Sequence, residues 1–150
     1  MSDTQQWTER DGWILMSLLL VQSEHGASLT AIVGAADATN HAIPTIGELS
    51  RALTRLASAG VITVIDHRFK INSTHLDELK AVRQGKGGLF SLPTKGKKWL
   101  SSKMLDTQIC ESVTITNEQL KIAYDEYTQS LRIRKTTNKP MDRSGGSAAS

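Results

Sequence analysis

The side chains in this sequence with the most chemical potential are cations. Arg51 and Arg55 stand four residues apart in "IGELSRALTRLASAG", and Arg68 and Lys70 alternate in "DHRFKIN". Residues 67–103 add Lys80, Arg83, Lys86, Lys95, Lys97, Lys98 and Lys103, and hold only Asp77 and Glu78 as acids. The chain as a whole carries a formal charge of just +3, because residues 1–60 are net acidic. A positive block this dense favours a polyanionic partner. The plain alternative is a solvated surface that keeps the protein soluble.

The rest of the reactive inventory is thin. "GKGGL" lacks the preceding strand and the following Lys-Ser/Thr of a phosphate-binding loop. No nucleophile elbow, HExxH or persuasive acid pair appears, so neither an enzyme nor a cofactor is expected. His25, His41, His67 and His75 have no metal-ligand spacing. The single cysteine, Cys110, cannot close an internal disulfide and has no activating neighbour. That points to a reducing, cytoplasmic setting. The longest apolar run, "WILMSLLLV", falls short of the ~18 residues of a membrane span. The polar start "MSDTQQWTERDG" does not read as a secretory signal, and no membrane partner is expected.

The elements that must carry the cations are legible from caps, periods and breakers. At 150 residues the chain suits one domain. A first helix is expected over 11–24, capped by Asp11, ended by Gly26 and apolar on most sides. A second spans 28–40 with Ser28 as cap, and its Gly34-Ala35-Ala36 leaves room for another helix to come close. Pro44 forbids continuation. The third, over 45–59, is marked by the capping box Thr45-x-x-Glu48, by an inward stripe of Ile46, Leu49, Leu53 and Leu56, and by Gly60 as left-handed stop. "VITVID" and "RFKIN" then predict a hairpin at 61–72.

Beyond the hairpin, Ser73 or Thr74 caps a fourth helix whose Leu76, Leu79 and Val82 turn inward. "LFSLPTKGKKWLSSK" reads either as a strand and turn or as a short helix from Pro93. Thr116-x-x-Gln119 is a second capping box, opening a last helix with Leu120, Tyr124, Tyr127 and Leu131 on one stripe. The tail 136–150 has almost no apolar content and is expected to be disordered.

This order of elements resembles the winged-helix DNA-binding domain. Within it, "LSRALTRLASAGVI" is similar to the third-helix pattern L-x-x-A-L-x-R-L-x-x-A-G-L-I of winged-helix transcription regulators of the MarR and PadR kind. "RFKIN", followed by a capped helix, sits where their wing strand and L-T-P-x-G segment lie, with "LFSLPTKG" a rival match for that segment. The resemblance covers about residues 11–84. It implies a mainly α fold with a small β-hairpin: a winged helix-turn-helix plus a C-terminal helix. The chain would divide into an N-terminal arm (1–10), a winged-helix domain with basic extension (11–104), a C-terminal helical segment that dimerises (105–135) and the tail.

The function implied is a DNA-binding transcription regulator that contacts double-stranded DNA. A homodimer through Leu120, Tyr124, Tyr127 and Leu131 is expected because that stripe lies outside the winged-helix unit, the alternative being that the helix folds back on its own domain. In such regulators the third helix enters the major groove and the wing meets the minor groove or backbone. Carried onto this sequence, the outward face of the third helix holds Gly47, Arg51, Thr54, Arg55 and Ser58. Arg51 and Arg55 would take phosphates or guanine edges. Arg68 and Lys70 would be wing contacts with His67 at the tip. The chain departs from the pattern at Glu48, an acid where recognition helices are usually polar or basic; the cap explains it. The alternative is a winged-helix protein–protein interaction module without DNA binding.

Overall fold

The computed structural model describes residues 6–103 and 115–138, with backbone alone for 132–138. Along these residues run α1 (Glu9–Leu20), α2 (Leu29–Asn40), α3 (Ile46–Ser58), β1 (Ile62–Ile65), β2 (Arg68–Ile71), α4 (Ser73–Arg83), a single 3₁₀ turn (Leu89–Ser91), α5 (Leu92–Ser102) and α6 (Asn117–Asn138). Among the described residues the fold is mainly helical with one small antiparallel hairpin.

α1 is the central helix. Every residue from Asp11 to Leu19 is buried, with α2, α3 and α5 packed around it. It begins earlier than its sequence suggests. Thr8, not Asp11, is the N-cap, and Asp11 is the acidic partner of a capping box, its carboxylate accepting from the Thr8 amide at 2.9 Å. The arm before it is not free of the core, because Trp7 is buried. α1 also stops at Leu20, short of the expected 24. The chain there must turn outward to bring Ala27 beside β2. Gly26 adopts φ +87°, and Ala27 and Phe69 exchange both backbone hydrogen bonds, at 2.7 and 2.9 Å.

α1 and α5 touch backbone to backbone. A Cβ on Gly12 would lie 2.3 Å from the Pro93 carbonyl oxygen, and one on Gly96 would lie 2.6 Å from that of Gly12. This crossing needs glycine on both helices. It resolves the ambiguous segment around Pro93 as helix, with Pro93 at the start, where no amide is required.

α2 is tied to α1 by the buried Trp13 indole, which donates to the Ala36 carbonyl and to Thr39 Oγ1, both at 3.0 Å. Its small-residue face receives α6, as the Gly34 region suggests. A Cβ on Gly34 would meet the Tyr127 ring at 2.9 Å, and the Tyr127 hydroxyl donates to Asp37 at 2.6 Å. The expected stripe on α6 is corrected in part. Ala123 is the buried residue, Leu120 and Tyr127 pack beside it, and Tyr124 points to solvent.

α3 begins and ends as its sequence requires. Both halves of the Thr45–Glu48 capping box form. At the other end Val61 N–H donates to the Leu56 carbonyl at 2.9 Å and Gly60 N–H to that of Ala57 at 3.1 Å, with Gly60 at φ +79°. This paired closure leaves few carbonyls unsatisfied and turns the chain into β1. Leu49, Leu53 and Leu56 are wholly buried. Full burial of a leucine side chain stabilises by about 1.5–3 kcal/mol. The hairpin pairs Ile62 with Ile71 through Ile65 with Arg68. Its two-residue loop, Asp66-His67, is left-handed at both positions, which suits the twist of the strands. α4 follows, but Asn72 stands at its cap. Its side chain is engaged with the Gly60 carbonyl and Thr63, and leaves the helix amides alone.

Of the expected segments, 104–114, including Cys110, and the tail 139–150 lie outside the described residues. α6 itself runs three residues past the expected start of the tail.

Candidate nucleic-acid interface

Two helix–helix ion pairs frame the outward side of α3. Both join it to the first turn of α1. The Arg55 guanidinium donates to Asp11 at 2.6 Å, with both side chains almost fully buried. Arg55 also donates to the Gln6 carbonyl at 3.2 Å and lies over the Trp7 ring, 4.5 Å from its centre. Two helical turns earlier, Glu48 accepts from Arg10 Nε at 2.6 Å. The polarity alternates, acid to base and base to acid. Burial pushes the Arg55 guanidinium below the ordinary arginine value. The Asp11 carboxylate opposes that fall and the nearby Arg51 charge adds to it.

Arg55 is therefore a correction to the sequence reading. The sequence places it on the outer face; in the structure it belongs to the inner seam between α1 and α3 and cannot reach a partner surface without unmaking that seam. The physical reason is angular. Four residues at about 100° each bring Arg55 about 40° round from Arg51. That rotation moves it from the solvent side to the α1 side. Arg51 itself is exposed and has no acidic partner among the described residues. Gly47 is exposed beside it, and Thr54 and Ser58 are half-buried on the same helix.

On the hairpin the alternation sorts the side chains cleanly. Ile62, Phe69 and Ile71 turn to the core, with Val64 half-buried on the same face, while Thr63, Ile65, Arg68 and Lys70 share the other. Arg68 is exposed, yet its guanidinium is held. It donates to the Gly26 carbonyl at 2.9 and 3.1 Å and to that of His25 at 3.2 Å. These bonds fix the loop end of the hairpin against the α1–α2 loop and leave the positive charge without an acidic partner among the described residues. Lys70 is half-buried opposite Thr63, and His67 sits exposed at the tip.

A cleft of about 440 Å³ opens where α1 and α3 begin, lined by Thr8, Arg10, Asp11, Gly47, Glu48 and Arg51. A second, of about 430 Å³, lies on the other side of Arg10 and Glu48, against Trp13, Asn40, Ile43 and Pro93. The Arg10–Glu48 pair borders both.

No family model, curated protein or solved structure matches this chain. The arrangement therefore has to be read from its own chemistry. Among the described residues, no three His, Cys, Asp or Glu side chains are grouped to hold a metal ion, and no helix is long and apolar enough to cross a membrane.

Sequence reasoning missed Arg10, Asp11 and Trp7 as neighbours of α3. One signal was present: Thr8-x-x-Asp11 has the form of a capping box and fixes where α1 starts. The pairing of Arg10 with Glu48 and of Asp11 with Arg55 depends on how α1 and α3 cross, which no local pattern carries.

Proposed function

We propose that this chain is a winged-helix DNA-binding protein acting as a transcription regulator, with α3 and the hairpin against duplex DNA. The carrying observation is the order of elements together with where the free charge lies. Three helices lead into a two-stranded wing whose second strand also pairs with Ala27, ahead of α2. Arg51 is the exposed cation on α3, and Arg68 and Lys70 are cations on the outer face of the wing. None of the three has an acidic partner among the described residues. Such cations displace condensed counterions from duplex phosphates. With Arg55 withdrawn, phosphate contact outweighs base reading in this proposal, and Thr54, Ser58 and His67 are auxiliary contacts.

The test is a fluorescence anisotropy titration of the full chain against a generic labelled duplex. Binding at about 50 mM salt that weakens steeply towards 200 mM is expected. The triple substitution Arg51→Ala, Arg68→Ala, Lys70→Ala should remove it while the protein stays folded. No binding by the folded wild type at low salt would reject the reading.

A homodimer belongs to the same proposal. Leu120 and Tyr127 already serve the chain's own core, so a partner helix would have to pack over the side of α6 that carries Ile122, 51% exposed. Sedimentation checks this: loss of a dimer in Ile122→Ser is the expected outcome. The competing reading, a protein-binding module, draws on exposed Leu89 and Phe90 beside His41, 44% and 67% exposed. A Phe90→Ser variant with unchanged duplex affinity and a wild type that binds duplex would set it aside.

A further inference from the structure

Arg10, in the first turn of α1 beside the start of α3, has a geometry that gives it two tasks at once. Glu48 is the one acid in the first turn of α3, and it lines the cleft together with Gly47 and Arg51. A free carboxylate there would repel a phosphate backbone laid along α3. Both oxygens of Glu48 are occupied, however. Oε1 accepts from the Thr45 amide at 2.8 Å, and Oε2 accepts from Arg10 Nε at 2.6 Å. Arg10 spends only Nε on this contact. Its side chain is 70% exposed, and its terminal amino groups take no other hydrogen bond among the described residues. A guanidinium can do both things because its donors point in several directions; a lysine ammonium offers only one point of charge.

We infer that Arg10 extends the duplex-contacting surface from α3 onto the start of α1, masking Glu48 with Nε and presenting its terminal amino groups to a backbone phosphate. The inference rests on the DNA-binding reading and names a contact that reading does not contain. Arg10 holds the acid still, so that the N-terminal end of α3, with its positive dipole end and Arg51, meets the duplex as a positive surface. A further consequence is that Glu48 weakens duplex binding wherever Arg10 is absent.

The experiment is a double-mutant cycle on the full chain, read by anisotropy with a generic duplex between about 50 and 200 mM salt, with melting temperature measured for every variant. Arg10→Ala should weaken binding about three- to tenfold at the low-salt end and reduce the salt slope by about 1. Glu48→Gln keeps the capping-box geometry, since glutamine serves at that position, and with Arg10 present should leave binding within about twofold of wild type. In the Glu48→Gln background, Arg10→Ala should cost less than it does in the wild type. Arg10→Lys should fall between wild type and Arg10→Ala. If Arg10→Ala lowers the melting temperature, Arg10→Gln replaces it in the cycle, keeping the aliphatic stem. A wild type that binds, with Arg51→Ala weakened and Arg10→Ala within twofold of wild type, overturns this inference and leaves the DNA-binding reading standing. Equal losses on both Glu48 backgrounds overturn the masking role. A wild type that fails to bind duplex overturns both together.

Discussion

Arg51 and Arg55 are the same residue type on the same helix, one turn apart, and they have opposite fates. Arg51 reaches into solvent. Arg55 is held between the Asp11 carboxylate and the Trp7 ring, 6% exposed. What separates them is about 40° of helical phase and the presence of α1 on one side. The outer face of an amphipathic helix is not one environment: its centre is free, while its flanks belong to whichever neighbour crosses there. Charge on a flank is structural charge. It must be paired, because an unpaired buried ion is strongly unfavourable.

The comparison predicts unequal responses to mutation. The largest effect is expected for Asp11→Ala, which orphans the buried Arg55 and removes half of the α1 capping box. A loss of about 3–5 kcal/mol in urea or thermal unfolding is expected. Arg51→Ala should stay within about 0.5 kcal/mol of wild type. Similar losses at the two sites would break the distinction between them.

Leu53 defines the inward direction from which both arginines are measured, and it has no exposed surface. Leu53→Ala should cost about 2–5 kcal/mol. Next comes Gly12→Ala. The added Cβ would lie 2.3 Å from a carbonyl oxygen, so α1 and α5 must separate. Overpacking of this kind costs about 1–3 kcal/mol. A neutral outcome in unfolding would mean that the two helices do not touch there.

The smallest effect concerns an exposed pair far from the α1–α3 seam. The Lys103 ammonium, first, and then the Trp99 indole hold the Glu78 carboxyl below its ordinary value. A depressed carboxylate contributes stability that is present above its unfolded pKa and lost as pH falls through its folded one. The melting-temperature difference between wild type and Glu78→Gln should therefore be small near neutrality and vanish in acid. A difference that grows on acidification would contradict the sign.

Local signals carried much of the fold. Thr45 and Glu48 announce the start of α3, Gly60 its end, and the alternation in "RFKIN" sorts the second hairpin strand, because each of these rests on a few neighbouring residues. Thr116 and Gln119 likewise form the box their spacing suggests, with bonds of 2.9 and 3.0 Å. The candidate site was legible only where it too was local. Arg51 and the hairpin cations Arg68 and Lys70 could be placed from helix phase and strand alternation. Arg55 could not, since its surroundings are set by Trp7 and Asp11, more than forty positions away. The α1–α5 crossing was hidden for the same reason: Gly12 and Gly96 each look like an ordinary helix weakness, and only their meeting explains both.

That meeting has a kinetic consequence. The α1–α5 crossing joins Gly12 to Gly96 across the whole of α2, α3, the hairpin and α4, so it can form only after the intervening chain has been gathered. Contacts of such sequence separation slow folding, because loop closure must be completed before they contribute. During synthesis α1 emerges well before its backbone partner α5, which follows the hairpin and α4. A nascent chain ending before Leu92 would carry α1 with the Gly12 face still uncovered, and the domain should become protease-resistant only once α5 has left the ribosome.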